Sequence, residues 1–271
     1  MGERLPSLNR VRLSTLAAIV LLAFSLLRLI TLPTLRIQID LLGLLVQLDL
    51  DAPAIFLTLT AALVIAGTDW LIAGHPKLGP RALTLEHWVV PGLATLGLGV
   101  ILSRIPSGIP LLVGLPLTDL LLVLVLAAEF VVVDRSDPRF DWASLLIRVL
   151  AYLLLTGVLF AITATDLRAI FAVPFVFAAT GAMAWRLLIM EPDSVSARVD
   201  AVLIGAIVAQ LAWAFHYWPL APLRESLILA LVAYLGEGLT RLLRRGDLTQ
   251  RRALEYGLLG AFCLGALTVL T

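Results

Sequence analysis

Long apolar runs alternate with short polar connectors along the whole chain. Nine stretches, about 13–32, 53–73, 87–103, 112–133, 143–163, 169–190, 199–218, 225–243 and 255–271, are mostly apolar. Each has roughly the 20 residues that a helix needs to cross the hydrocarbon layer. The connectors leave no room for a soluble domain. The pattern therefore predicts an all-α polytopic integral membrane protein, a single membrane-embedded domain over residues 1–271 with about nine transmembrane helices in one bundle. The first run follows Arg4, Arg10 and Arg12, as the apolar part of a secretory leader would. A leader's apolar region spans about 7–15 residues and ends at a small-residue cleavage site. The run from Leu13 to Leu32 is longer and ends in Thr31-Leu32-Pro33-Thr34, so it reads as a retained anchor helix.

Two segments break the period. In residues 35–51, Arg36, Gln38 and Asp40 alternate with Ile37, Ile39 and Leu41, and Gln47, Asp49 and Asp51 alternate with Val46, Leu48 and Leu50. Period two on both sides of Gly43 predicts a short outer-face β-hairpin near residues 36–51. Residues 105–116 contain three prolines, which disfavour regular helix. That stretch is either helical or an interfacial or re-entrant lead-in to the fourth span. The ninth span, at the end of the sequence, either crosses or lies shallow.

Small residues give packing expectations. Ala201, Gly205 and Ala209 repeat every four residues in the seventh span, and Gly257, Ala261 and Gly265 do so in the ninth. Such stripes let helix backbones approach each other within lipid, and both are expected to pack inside the bundle. Pro91 and Pro174 lie within spans and are expected to kink them and open space beside them. Gln210 reads as an interhelical hydrogen-bonding group.

Composition agrees with a lipid solvent. Of 271 residues, 61% are hydrophobic and 14% charged, with a mean hydropathy of +1.02. Soluble chains average about 45–50% apolar and about 25% charged. Lys+Arg 20 against Asp+Glu 19 gives a net charge of +1, without the basic excess that nucleic acid requires. The single cysteine, Cys263, excludes an intrachain disulfide framework and a thiolate metal site. No metal and no cofactor are expected.

Charge placement sets an orientation. With the N-terminus cytoplasmic, 14 of the 20 basic residues fall in cytoplasmic segments or at the cytoplasmic ends of spans, from Arg4 to Arg252. Only Arg36, Arg104, Arg168 and Arg224 fall outside, and Arg28 and Arg148 lie within spans. This is the positive-inside asymmetry, and it places the C-terminus outside. Trp70, Trp88, Trp142 and Trp185 fall at cytoplasmic span ends, the interfacial level that indole favours. Spans of this helical kind belong to an inner or plasma membrane, since outer-membrane spans are barrels.

Ionisable groups inside spans are costly and mark candidate sites. Glu129, Glu237, Arg148, Asp69 and Arg28 are the intramembrane candidates, with Glu86 and His87 at the cytoplasmic mouth of the third span. Glu237 has Arg241 four residues on, a favourable same-face pair. Glu129 has no such neighbour, and Arg148 at similar depth is its expected partner. Arg28 is expected to snorkel to the interface or to pair with Asp119 or Asp166. Arg241, Arg244, Arg245, Arg251 and Arg252 form a basic cluster that fixes topology or meets lipid headgroups.

The sequence contains no H-E-x-x-H, no G-x-S-x-G and no P-loop. Three functions stay open. The first is a non-enzymatic, permease-like protein for a small or amphipathic solute, which requires a cavity reaching Glu129 or Glu237. The second is a scaffold or accessory subunit with a protein partner or oligomer. The third is an enzyme acting on a lipid-linked substrate, which requires Glu86, His87 and Glu129 to converge on a pocket. Membrane lipids are expected partners in every case.

Overall fold

The computed structural model describes residues 10–29, 35–41, 44–50, 52–78, 84–165, 167–191, 196–218 and 220–269; the side chains of residues 29, 35–50 and 267–269 are outside the description. The helices are α1 Arg10–Leu29, α2 Ala52–Ile72, α3 Val89–Arg104, α4 Ile109–Val132, α5 Phe140–Thr163, α6 Ala169–Ile189, α7 Ala197–His216, α8 Pro222–Arg244 and α9 Gln250–Val269. A 3₁₀ turn, Leu85–Trp88, leads into α3. Two strands, β1 Leu35–Leu41 and β2 Leu44–Leu50, pair antiparallel between α1 and α2, with Leu35 opposite Leu50 and Leu41 opposite Leu44.

Among the described residues, eight helices are long and apolar enough to cross a membrane, with α3 extended back through the 3₁₀ turn. Their limits lie within four residues of the first eight apolar stretches. A helix satisfies its own backbone polar groups, which lipid cannot do, so each apolar run closes into one. The ninth run forms α9, whose described side chains stop at residue 266.

The bundle is built around α3 and α5. α3 packs on α2, α4, α5 and α6, and α5 packs on α3, α4, α6 and α8. α3 can occupy this position because it carries little side-chain bulk: Gly92, Ala94, Gly97 and Gly99 are all buried. A Cβ on Gly97 would lie 3.5 Å from the carbonyl oxygen of Leu154 on α5. α6 and α7 form the tightest pair; a Cβ on Gly205 would sit 3.1 Å from both the Cα of Gly181 and the carbonyl oxygen of Phe177. The α7 stripe thus packs internally, with Ala201 and Ala209 also buried. The α9 stripe does not. Gly257, Ala261 and Gly265 are exposed, and it is Gly260 that faces α8, against Leu235.

The proline expectations divide. Pro91 falls in the first turn of α3, where its missing N–H has no intrahelical partner to lose, so it need not kink the helix. Pro174 lies inside α6, beside a hollow of about 360 Å³ that Gln210 of α7 also lines. Of the alternatives for residues 105–116, helix holds from Ile109 onward. α4 is continuous from Ile109, with Pro110 in its first turn and Pro116 inside it.

Side-chain contacts tie the connectors into two ends. At one end, Arg12 Nη1 donates to the Trp70 carbonyl at 2.8 Å and Lys77 Nζ lies 2.9 Å from Asp134 Oδ2. Bonds from Ser136 and Lys77 hold the Asp134 carboxyl down to about 2. Arg244 Nη2 meets Asp200 Oδ2 at 2.5 Å at the same end. At the other, Arg28 donates to the carbonyls of Ser103 and Ile105, Arg104 lies over the Phe160 ring and Thr163 Oγ1 donates to the Pro222 carbonyl.

Candidate functional site

Glu129 is closed off completely. It is 0% exposed on α4, Arg186 on α6 is 1% exposed, and the 3₁₀ turn brings His87 inward beside them. Arg186 donates from Nη2 to Glu129 Oε2 at 2.5 Å and from Nε to Oε1 at 3.2 Å, a two-pronged pairing of guanidinium and carboxylate. His87 Nδ1 lies 2.7 Å from the same Oε2. The expected Glu129–Arg148 pair is therefore replaced by Glu129–Arg186. Depth favours Arg186: Glu129 lies three residues from the end of α4 and Arg186 three from the end of α6, whereas Arg148 lies eight residues inside α5. Glu86, next to His87 in the turn, is half-buried, while His87 and Glu129 are both buried.

Arg148 faces the connector after α6 instead. Its Nη2 donates to Glu191 Oε1 at 2.5 Å, and Arg245, just past α8, donates through Nε to Glu191 Oε2 at 3.0 Å and also through Nη2. Burial pushes the Glu191 carboxyl up, but the bonds from Arg245 and Arg148 outweigh it and leave it below the ordinary range. Arg135 closes the third side, donating to the carbonyl oxygens of Ile189 and Glu191 at 3.2 and 3.0 Å. These groups surround a hollow of about 370 Å³ with Phe140, Asp141, Ser144 and Leu145.

Glu237 lies deeper, on α8, 1% exposed. It faces a groove of about 760 Å³ between α5, α8 and α9, walled by Leu145, Val149, Leu227, Leu231, Phe262 and other apolar groups. Among the described residues, the polar groups on this groove are Arg148, Tyr152, Tyr234, Glu237 and Arg241, with the Cys263 thiol beside them. Tyr152 Oη donates to Glu237 Oε2 at 3.4 Å, and Arg241 Nη2 lies 3.5 Å from the same atom. Among the described residues, Glu237 Oε1 and Arg148 Nε are buried without a partner. The groove thus has one unused acceptor and one unused donor on an otherwise apolar lining. Leu145 at 52%, Val149 at 59% and Phe262 at 77% exposure leave it open along its side.

The remaining candidates are tied up locally. Asp69 accepts a bond from the Thr84 hydroxyl. Arg28 is held by the Ser103 and Ile105 carbonyls at 2.9 and 2.5 Å rather than by Asp119; Asp166 lies outside the described residues. Every arginine of the basic cluster meets a carboxylate: Arg241 with Glu237, Arg244 with Asp200, Arg245 with Glu191, Arg251 with Glu255 and Arg252 with Asp247. Arg186, Glu191 and Tyr152 were not singled out by the sequence. Arg186 and Glu191 sit at the end of an apolar run, where charge is ordinary, and a tyrosine carries no signal until its neighbours are known.

The chain belongs to the DUF5656 family, described as a protein of unknown function, whose model matches residues 32–270. No curated protein and no solved structure matches the chain.

Proposed function

We propose that this member of the DUF5656 family is a non-enzymatic, permease-like protein of the inner or plasma membrane that moves an amphipathic solute. In this reading the N-terminus is cytoplasmic, the C-terminus is outside after a ninth crossing, and the strand pair β1–β2 lies on the outer face. The alternation of basic connectors supports that orientation. One observation carries the functional reading. A groove of about 760 Å³, apolar along its walls, holds a buried carboxylate with a free oxygen. Ligand sites are mostly apolar hollows with a few convergent polar groups. A buried acidic group in a membrane helix is expensive and is retained for a reason. The Glu129 cluster supports a structural role instead, since its charges satisfy one another away from any solute.

The test uses the full chain in liposomes that carry a phospholipid with a fluorescent, dithionite-quenchable headgroup. Wild type should speed quenching of the inner-leaflet label over protein-free liposomes. Leu231→Trp, which fills the groove, should slow it while leaving the melting temperature unchanged. Quenching no faster than in empty liposomes, or unaffected by Leu231→Trp, would overturn the reading and move the weight to a scaffold or accessory subunit.

A further inference from the structure

The apolar groove and the arginine-lined hollow are adjacent, since Leu145 and Arg148 line both. Along α5 the lining changes from Tyr152 and Val149 through Arg148 to Ser144 and Asp141 within about three turns, as a lipid changes from chain to headgroup. We infer that the two hollows form one site for a phosphate-bearing lipid, with its chain along α5, α8 and α9 and its phosphate among Arg148, Arg245 and Arg135. This rests on the reading of the groove as a site for an amphipathic solute.

Three features point to phosphate. First, the hollow carries three guanidinium groups. Among the described residues, Glu191 serves two of them, and the other carboxylate on the lining, Asp141, is exposed. Second, among the described residues the bonds of Arg135 run only to backbone carbonyls, which leave its positive charge without a counter-ion. Third, Arg148 Nε is buried without an acceptor, although its Nη2 is already bonded to Glu191. A guanidinium presents its donors as a planar fork suited to phosphate oxygens, so a phosphate supplies both the missing acceptor and the missing negative charge. The groove accounts for the lipid part, because a free phosphate would leave the walls of Leu145, Val149 and Phe262 unused.

Binding to the full chain in nanodiscs or detergent, followed by native mass spectrometry, decides the matter. The probes are phosphatidic acid, diacylglycerol and inorganic phosphate. Phosphatidic acid should bind at least about tenfold more tightly than diacylglycerol, the effect of one charge-assisted contact. Arg135→Gln removes an exposed side chain that holds no carboxylate, so the fold should survive. It should weaken phosphatidic acid binding and leave diacylglycerol binding unchanged, and Arg245→Gln should do the same. Leu231→Trp should weaken both lipids. Equal binding of the two lipids, or no effect of Arg135→Gln and Arg245→Gln together, would overturn the phosphate site even if transport holds. Full displacement of phosphatidic acid by millimolar inorganic phosphate would make it a free-anion site and overturn the lipid assignment. Selective phosphatidic acid binding without any headgroup movement would sink the permease reading and leave this site standing.

Discussion

Glu129 and Arg186 each remove the other's reason to reach water. A lone carboxylate at 0% exposure would be held at a cost of several kcal/mol, and the two-pronged pairing with Arg186, with His87 on the same oxygen, offsets it. Removing one partner leaves the other buried and unpaired, which costs about 3–5 kcal/mol. Glu129→Gln should therefore destabilise the protein strongly in detergent melting. The double variant Glu129→Gln/Arg186→Met should regain much of the loss, because neither charge remains. Glu237→Gln should cost much less, since its contacts are long, at 3.4 and 3.5 Å, and one oxygen has no partner. Equal losses at Glu129 and Glu237 would contradict this difference. That Glu129 needs a partner from another helix was legible in its own helix, which offers none at the right spacing. Which arginine provides it was not, because Arg186 stands near the end of an apolar run, where charge is ordinary, although it lies three residues from the end of α6 just as Glu129 lies three from the end of α4.

The same logic governs the helices. α7 and α9 carry the same signal, small residues four apart, yet only α7 has a neighbour seated on it. Periodicity shows that a backbone could be approached closely; whether one approaches depends on where the other helices go. Gly205 lies against the backbone of α6, which cannot yield as a flexible side chain would. Gly205→Leu should therefore cost about 1–3 kcal/mol through overpacking. A Cβ on Gly257 of α9 meets nothing within 4 Å, so Gly257→Ala should change stability by no more than about 0.5 kcal/mol either way. Melting curves of the two variants beside wild type decide it, and a neutral Gly205→Leu would mean that α6 and α7 can separate. The prolines follow the same rule. Pro116 and Pro174 are interior, while Pro91 opens its helix, and only the position of each helix start distinguishes them. The alternation in residues 35–51 needed less context, because period two already specifies which positions share a face, and the strands pair in one register across it.

At the scale of the molecule, the helix limits follow from apolar length and the two ends follow from alternation, so the architecture was largely legible. The groove was not, because its lining comes from three helices, two of them next to each other in sequence and one distant. The end that holds Arg12, Lys77, Asp134, Arg135, Glu191 and Arg245 is also the end where the arginine-lined hollow opens. In the proposed orientation, with that end cytoplasmic, the site draws lipid from the cytoplasmic leaflet. Orientation thus decides which lipid pool the protein can sample. Ser136, in the connector between α4 and α5, and Ser107, between α3 and α4, are both exposed and lie at opposite ends. In a Cys263→Ser background, a membrane-impermeant maleimide applied to intact cells should label Ser107→Cys at once. Ser136→Cys should react only after the membrane is permeabilised. The reverse pattern would invert the protein and place the arginines in the outer leaflet. Labelling of both positions in intact cells would mean that the two connectors share one side, which an odd number of crossings between them forbids.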